Sequence, residues 1–202
     1  MNKTFKNEWK EYLSNIHKIV VFDTETSGLN AGYNVILSIS WQVLDESLSK
    51  IEEHTHYFDW PNDECRVSWQ AIDVNGLTKE RLSELGTSLK SAGLQDFADA
   101  VIDADLLVAH NGNFDSRFVA ADARAESVNI NLSLPLWDTM TRMTNYCAIP
   151  GHYDGYKWPR LIELAKKLNV PIDDIDWHQS ASDVEVTARC FRYIAENGIV
   201  KP

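Results

Sequence analysis

The feature that most constrains the fold is the order of strand-type and helix-type segments along the chain. Three strand-type segments come first, at 18–22, 35–44 and 54–60, and a polar turn around Asp45 joins the second to the third as an antiparallel meander. A fourth, short apolar strand at 105–109 then alternates with helical patterns. This order predicts an α/β protein in which one mixed sheet is covered by helices on both faces.

The helical patterns share an apolar stripe at intervals of three and four residues. They are predicted up to about residue 15 and over 78–85, 89–102, 114–125, 139–146, 160–168 and 183–197. In the last of them Val184, Ala188 and Phe191 form the stripe, and Gly198 supplies the stop. No repeat, linker or low-complexity tract interrupts the pattern, so we expect a single domain over residues 1–202.

Composition excludes several classes of protein. Of 202 residues, 44% are hydrophobic, and 19 basic against 30 acidic residues give a net charge of −11, which argues against a protein that coats phosphate backbones by bulk positive charge. The apolar runs, such as Ile19 to Phe22, are too short to span a bilayer, and the first residues lack a signal-peptide core. We therefore expect a cytoplasmic protein without a membrane partner. Three scattered cysteines support neither a disulfide framework nor a zinc finger.

The first candidate functional group is a pair of acids after the first strand. Asp23 and Glu25 are two residues apart, so in an extended chain both side chains point to the same face. Two carboxylates held this close repel each other unless a cation lies between them. The alternative interpretation is that the acids only begin the loop at 26–30.

The second candidate group follows the fourth strand, where a helix begins. His110 and Asn111 stand at the strand end, which is where open α/β sheets bind ligands. Asn113 is a candidate helix cap, which would place Asp115 in the first turn, where the helix dipole alone favours an acid.

The third candidate group precedes the last helix. Ser182 with Glu185 fits a capping box, and Ser180 with Asp183 is a competing frame. In both frames His178 lies in the loop near the helix N-terminus. The alternative interpretation is that it is an exposed loop histidine without a function.

Together these three segments resemble the three motifs of the DEDD superfamily of 3′–5′ exonucleases, in its histidine branch, which includes the proofreading epsilon subunit of bacterial DNA polymerase III, ribonuclease T and oligoribonuclease. The first motif matches residues 23–29, the second matches His110, Asn111, Phe114 and Asp115, and the third matches His178 and Asp183. Weaker matches are the Asn-Gly-Leu-Thr turn at 75–78 and the Asp-Thr pair at 138–139. The resemblance covers about residues 18–197.

The resemblance implies an RNase H-like fold and a metal-dependent 3′–5′ exonuclease. It implies that four acids converge to bind two metal ions and that His178 takes a proton from the attacking water; the acids are Asp23, Glu25, Asp115 and Asp183. Four oxygen donors suit Mg²⁺ or Mn²⁺, and two such ions stabilise the attacking and leaving oxygens of phosphodiester hydrolysis. The expected products are nucleoside 5′-monophosphates from single-stranded or frayed 3′ ends, with DNA favoured over RNA.

The resemblance also implies which residues contact the terminal nucleotide. They are Thr26, Gly28, Leu29, His110, Asn111 and Phe114. Core packing is the alternative for Leu29 and Phe114. A second candidate contact is the loop at 152–160, where aromatic and cationic residues alternate as in proteins that bind single strands. The alternative there is that Lys157, Trp158 and Pro159 start the next helix with Trp158 buried.

Three alternative functions remain open at this point. The same chemistry suits an exoribonuclease that acts on short RNA oligonucleotides or RNA 3′ ends. A non-catalytic nucleic-acid-binding module could keep the same fold. A phosphatase of the haloacid dehalogenase type also places two acids after an apolar strand, but it normally has Asp at the second position and has no role for His178 and Asp183. The expected partners are single-stranded 3′ ends, with a polymerase or repair protein as a further candidate.

Overall fold

A five-stranded mixed sheet forms the centre of the molecule in the computed structural model, which describes residues 4–175 and 179–202. The strand order is β3-β2-β1-β4-β5. β1, β2 and β3 form an antiparallel meander, whereas β4 and β5 run parallel to β1. The strands are β1 (Ile19–Thr26), β2 (Ile36–Leu44), β3 (Lys50–Tyr57), β4 (Leu106–Ala109) and β5 (Leu136–Asp138).

Helices pack against this sheet within the described residues. They are α1 (Lys6–Leu13), α2 (Trp69–Asn75), α3 (Lys79–Leu85), α4 (Lys90–Val101), α5 (Gly112–Ala125), α6 (Thr139–Cys147), α7 (Leu161–Leu168) and α8 (Ser180–Asn197). A short 3₁₀ helix covers Glu64–Arg66. None of the described helices is long and apolar enough to cross a membrane.

Alternation along β1 explains why both faces of the sheet are covered. Ile19 and Val21 point into an apolar cluster with α1, α6, α7 and α8, whereas Val20 and Phe22 point into a second cluster with α4 and α5. A strand buried on both faces consists of apolar residues throughout, as 19–22 does. The mixed sheet with helices on both faces is confirmed, and its topology is that of an RNase H-like fold.

Several predicted boundaries were wrong for identifiable reasons. β1 continues through Thr26 because its backbone stays paired with β2, so both acids lie inside the strand. β3 begins at Lys50, four residues before the predicted start, because this sheet-edge strand is exposed and needs no apolar side chains there. The helix α2 and the three-residue strand β5 were not predicted.

Two predicted helix caps were also wrong. α8 begins at Ser180 after Gln179, and neither predicted capping frame forms. The Ser180 hydroxyl instead lies 2.9 Å from that of Ser38 and 2.7 Å from that of Ser40, both on β2. α5 begins at Gly112 with Asn111 before it, so Asn113 is not the cap. The buried stripe of α8 and its end at Gly198 are confirmed.

Candidate active site

Three carboxylates from two elements meet at the C-terminal half of β1, the central strand of the sheet. Asp23 and Glu25 project from β1 and Asp183 projects from the first turn of α8, and each offers a carboxylate oxygen within 4.8 Å of the others. The strand period places Asp23 and Glu25 on the face that α8 covers. Ser180 holds the start of α8 on β2, which brings Asp183, one turn later, over the two β1 acids.

The fourth predicted acid, Asp115, reaches the group from the opposite face of the sheet. It lies in the first turn of α5, is only 3% exposed, and its Oδ1 accepts hydrogen bonds from the Thr24 backbone N–H (3.0 Å) and hydroxyl (2.7 Å). Because Thr24 separates Asp23 from Glu25 along β1, its side chain points towards α5 while theirs point towards α8. Asp115 lies outside the three-residue group but belongs to the same site.

Burial and nearby negative charge disfavour the ionised forms of Asp23, Glu25 and Asp115. Burial is the first cause that raises the pKa of Asp23 well above its usual value, and the charges of Asp115, Glu25 and Asp183 add to it. Burial, followed by the charge of Asp183, raises the pKa of Glu25 to about 8, although a hydrogen bond from Asn75 opposes the rise. Burial also raises the pKa of Asp115 to about 7 against the two Thr24 hydrogen bonds. A bound cation would relieve this repulsion.

The donor set fits a hard divalent cation. The metal-ligand group found among the described residues consists of carboxylates alone, and oxygen donors suit Mg²⁺ or Mn²⁺ better than ions that prefer sulfur. Asp23 and Glu25 stay partly accessible to solvent, so an ion and a phosphate oxygen could both reach them.

The segment after Glu25 makes a tight, buried turn that exposes one apolar side chain. The Thr26 hydroxyl donates to the Gly28 carbonyl (2.6 Å), and a Cβ at Gly28 would overlap the Asn34 side chain, so only glycine fits there. Leu29 is 75% exposed, so the core-packing alternative for it is wrong.

The residues after β4 are more enclosed. His110 Nε2 lies 3.0 Å from the Pro159 carbonyl, and its Nδ1 lies 2.8 Å from the Thr139 hydroxyl. Burial lowers the pKa of His110 to about 4, so the ring is neutral near pH 7. A carbonyl can only accept, so Nε2 carries the proton and Nδ1 is the accepting nitrogen, which shares the Thr139 hydroxyl proton with the Ala109 carbonyl (3.2 Å).

Asn111 and Phe114 complete the predicted contacts at this position. Asn111 has a left-handed backbone (φ 74°), and its N–H donates to Asp138 Oδ1 (3.3 Å). Phe114 is partly buried against Phe118, with ring centroids 4.8 Å apart, as the core-packing alternative expects. The substrate contacts of His110, Asn111 and Phe114 remain predictions.

His178, the predicted general base, lies outside the described residues. At the 152–160 loop, α7 begins only at Leu161, and Trp158 is 65% exposed, so the alternative in which a helix start buries Trp158 is wrong, and contact of this loop with substrate stays a prediction. Lys157 Nζ is 2.7 Å from a Glu163 carboxylate oxygen.

Sequence reasoning missed the residues that hold the acids in place. Thr24 lies inside the first motif, but nothing in the sequence shows that its hydroxyl binds an acid more than ninety residues away. Asn75 was noted only as part of a turn, yet its side-chain nitrogen donates to the Thr26 carbonyl (3.1 Å), and its amide lowers the pKa of Glu25 against the effect of burial. Ser180 was considered a cap, whereas it joins α8 to the sheet.

A mixed sheet in this strand order with helices on both faces is the RNase H-like fold, and a cluster of carboxylates on its central strand is typical of the metal-dependent nucleases that have this fold. The model of the RNase T exonuclease family matches residues 20–191. The chain therefore belongs to this exonuclease family, whose members are divalent-metal-dependent hydrolases.

The individual relatives are distant in sequence, but their alignments cover most of this chain. Ribonuclease T of Haemophilus influenzae (strain 86-028NP) is 24% identical over 202 residues, which cover 95% of this chain and 83% of that protein. The PolC-type DNA polymerase III of Bacillus subtilis (strain 168) is 27% identical over 186 residues, which cover 89% of this chain but only 12% of the polymerase.

The fold is shared with exonuclease I. The Escherichia coli enzyme in complex with a dA16 oligonucleotide superposes with a TM-score of 0.73 at 16% identity, over 90% of this chain and 41% of that one. The complex with a dT13 oligonucleotide gives the same TM-score. The chain thus spans about two fifths of exonuclease I.

Proposed function

We propose that this protein is a 3′–5′ exonuclease that releases nucleoside 5′-monophosphates from single-stranded or frayed 3′ ends. The observation that carries the proposal is the convergence of Asp23, Glu25 and Asp183 beside Asp115 in a member of an exonuclease family. The non-catalytic alternative does not explain why mutually repelling, partly buried acids are held together. The phosphatase alternative does not account for a match to the exonuclease model over 20–191.

The four acids are proposed to hold two Mg²⁺ or Mn²⁺ ions, which would stabilise the attacking and leaving oxygens of the displacement at phosphorus. His178 takes a proton from the attacking water, because an imidazole with a pKa near 6.5 accepts a proton readily at neutral pH. The new bond joins the water oxygen to phosphorus. The bond that breaks joins phosphorus to the 3′ oxygen of the next nucleotide, which takes up a proton from solvent as it leaves.

The terminal nucleotide is proposed to lie along residues 26–29. The exposed Leu29 side chain wedges against the terminal base, and the backbone of Gly28 with Thr26 meets the sugar. His110, Asn111 and Phe114 approach from the other side. Both ring nitrogens of His110 already have protein partners. We therefore propose that His110 shapes this side of the nucleotide site through its hydrogen bond to the Pro159 carbonyl.

Charge limits how the enzyme holds its substrate. Two divalent ions would reduce the net charge of −11 to about −7, so long-range attraction to nucleic acid stays weak. We therefore propose engagement at strand ends, with low processivity and little affinity for duplex.

DNA is the proposed preferred substrate, because the exonuclease I complexes contain oligodeoxynucleotides and the PolC-type relatives are DNA polymerases. A polymerase or repair partner is proposed on the same ground. The second candidate, an exoribonuclease, is supported by the similarity to ribonuclease T, which the chain matches over 83% of its length.

A comparison of DNA and RNA strands of equal length and sequence tests the substrate. We expect faster release of 5′-monophosphates from single-stranded DNA than from RNA in the presence of Mg²⁺ or Mn²⁺. Asp23→Asn should abolish release, whereas Asp99→Asn, the same charge change at an exposed position on α4, should not. Preference for short RNA would establish the second candidate, and release of no nucleotide from either polymer would contradict the proposal.

A further inference from the structure

An exposed tryptophan on α2 has no role in the function proposed so far. Trp69 is 63% exposed, and its ring lies beside that of Trp60, with centroids 6.1 Å apart and planes inclined by 38°. Trp60 in turn packs against the apolar cluster that contains Ile72 and Leu82. The Trp69 ring therefore contacts a packed neighbour, Trp60, while much of its own surface remains open to solvent.

Helix α2 is fastened at both ends to the segment that follows the catalytic acids. At its start the Ser68 backbone N–H donates to the Ser27 carbonyl (2.7 Å). At its end the Asn75 side chain donates to the Thr26 carbonyl (3.1 Å). At 1.5 Å per residue, Trp69 lies about 9 Å along the helix from Asn75. The two ends of α2 are thus anchored to residues 26–27, directly after the acids of β1.

A nucleobase is the ligand that suits this exposed ring. An aromatic ring stacks on any base and needs no positive charge, which suits a chain of net charge −11. Arg66, close by on the same segment, is held by the hydrogen bond from its Nε to the Tyr33 carbonyl (2.6 Å) and supplies a fixed cation near a passing phosphate.

We propose that Trp69, supported by Trp60, stacks on the base of a nucleotide upstream of the terminal one. This inference rests on the proposed exonuclease function and extends it from the terminal nucleotide to the strand that follows. Trp69 is a substrate-binding residue that takes no part in the chemistry. It gives the enzyme a sequence-independent hold on a single strand and excludes a paired base, whose faces are already stacked.

Kinetics as a function of substrate length test this inference. The ratio of kcat/KM for a ten-nucleotide strand to kcat/KM for the p-nitrophenyl ester of thymidine 5′-monophosphate, which has no upstream nucleotide, isolates upstream contacts. We expect Trp69→Leu to lower this ratio by about tenfold or more, mainly through KM for the strand, because base stacking on an aromatic ring contributes about 1–3 kcal/mol. Trp69→Phe, which stays aromatic, should keep most of it.

Tyr193→Ala on α8, a loss of another partly exposed aromatic, is the control and should leave the ratio unchanged. In an Asp23→Asn background, titration with the same strand should quench tryptophan fluorescence, and Trp69→Phe should remove most of that quenching. Equal ratios for wild type and Trp69→Leu would overturn the inference while wild-type turnover still supports the proposed function. A wild type that hydrolyses neither substrate would overturn both.

Discussion

Thr24 and Asp115 are joined by two hydrogen bonds across the sheet, because Asp115 Oδ1 accepts from both the backbone N–H and the hydroxyl of Thr24. Thr24 lies between the two acids of β1, so this pair fixes the α5 acid relative to Asp23 and Glu25. The arrangement links helices on opposite faces of the sheet to a single site.

We expect Thr24→Val to reduce kcat on single-stranded DNA by about tenfold, because a hydrogen bond to a charged group contributes about 1.5–3 kcal/mol. Thr24→Ser, which keeps the hydroxyl, should retain most of the activity. The rates are measured at saturating Mg²⁺ and compared with thermal unfolding of each variant. Equal rates for Thr24→Val and wild type would show that the hydroxyl does not position Asp115.

The burial of the acids and the repulsion among them predict that the site destabilises the metal-free protein. The pKa values of Glu25 and Asp115 are raised to about 8 and about 7, so the folded state binds protons more tightly than the unfolded chain. The free energy of unfolding should therefore fall as pH rises from near 4, the ordinary value for a carboxyl group, to about 8. Asp23→Asn should raise the Tm of the metal-free protein by several degrees at pH 8 and by little at pH 4.

Thermal unfolding in the presence of a chelator measures this effect, and Asp99→Asn is the matched control. Addition of Mn²⁺ at pH 8 should raise the Tm of wild type more than that of Asp23→Asn, because the variant has lost one of the proposed ligands and one of the repelling charges. A lower Tm for metal-free Asp23→Asn than for wild type at pH 8 would contradict this description of the site.

The proposed base predicts a loss of turnover that is separate from metal binding. His178→Ala should lower kcat by about 100-fold or more at pH 7, as removal of a general base usually does. The Mn²⁺-induced rise in Tm should persist, since the carboxylates are intact. Unchanged turnover in His178→Ala would rule out His178 as the base.

The sequence predicted the sheet and the three acid-bearing segments because these depend on local patterns. The apolar run at 19–22 marks a strand buried on both faces, and the spacing of Asp23 and Glu25 places them on one face of it. Helix α2 was missed because it is only seven residues long and mostly exposed. The roles of Thr24 and Ser180 could not be predicted, because each depends on a contact made across the sheet.

Digestion of a single-stranded DNA labelled at its 5′ end, in the presence of Mg²⁺ or Mn²⁺, tests the central claim most directly. Wild type should give a ladder that shortens from the 3′ end, with nucleoside 5′-monophosphates as the released product, and Asp183→Asn should give none. Internal cleavage, immediate release of the labelled 5′ nucleotide, or undiminished digestion by Asp183→Asn would contradict the assignment of this carboxylate site to 3′–5′ exonuclease activity.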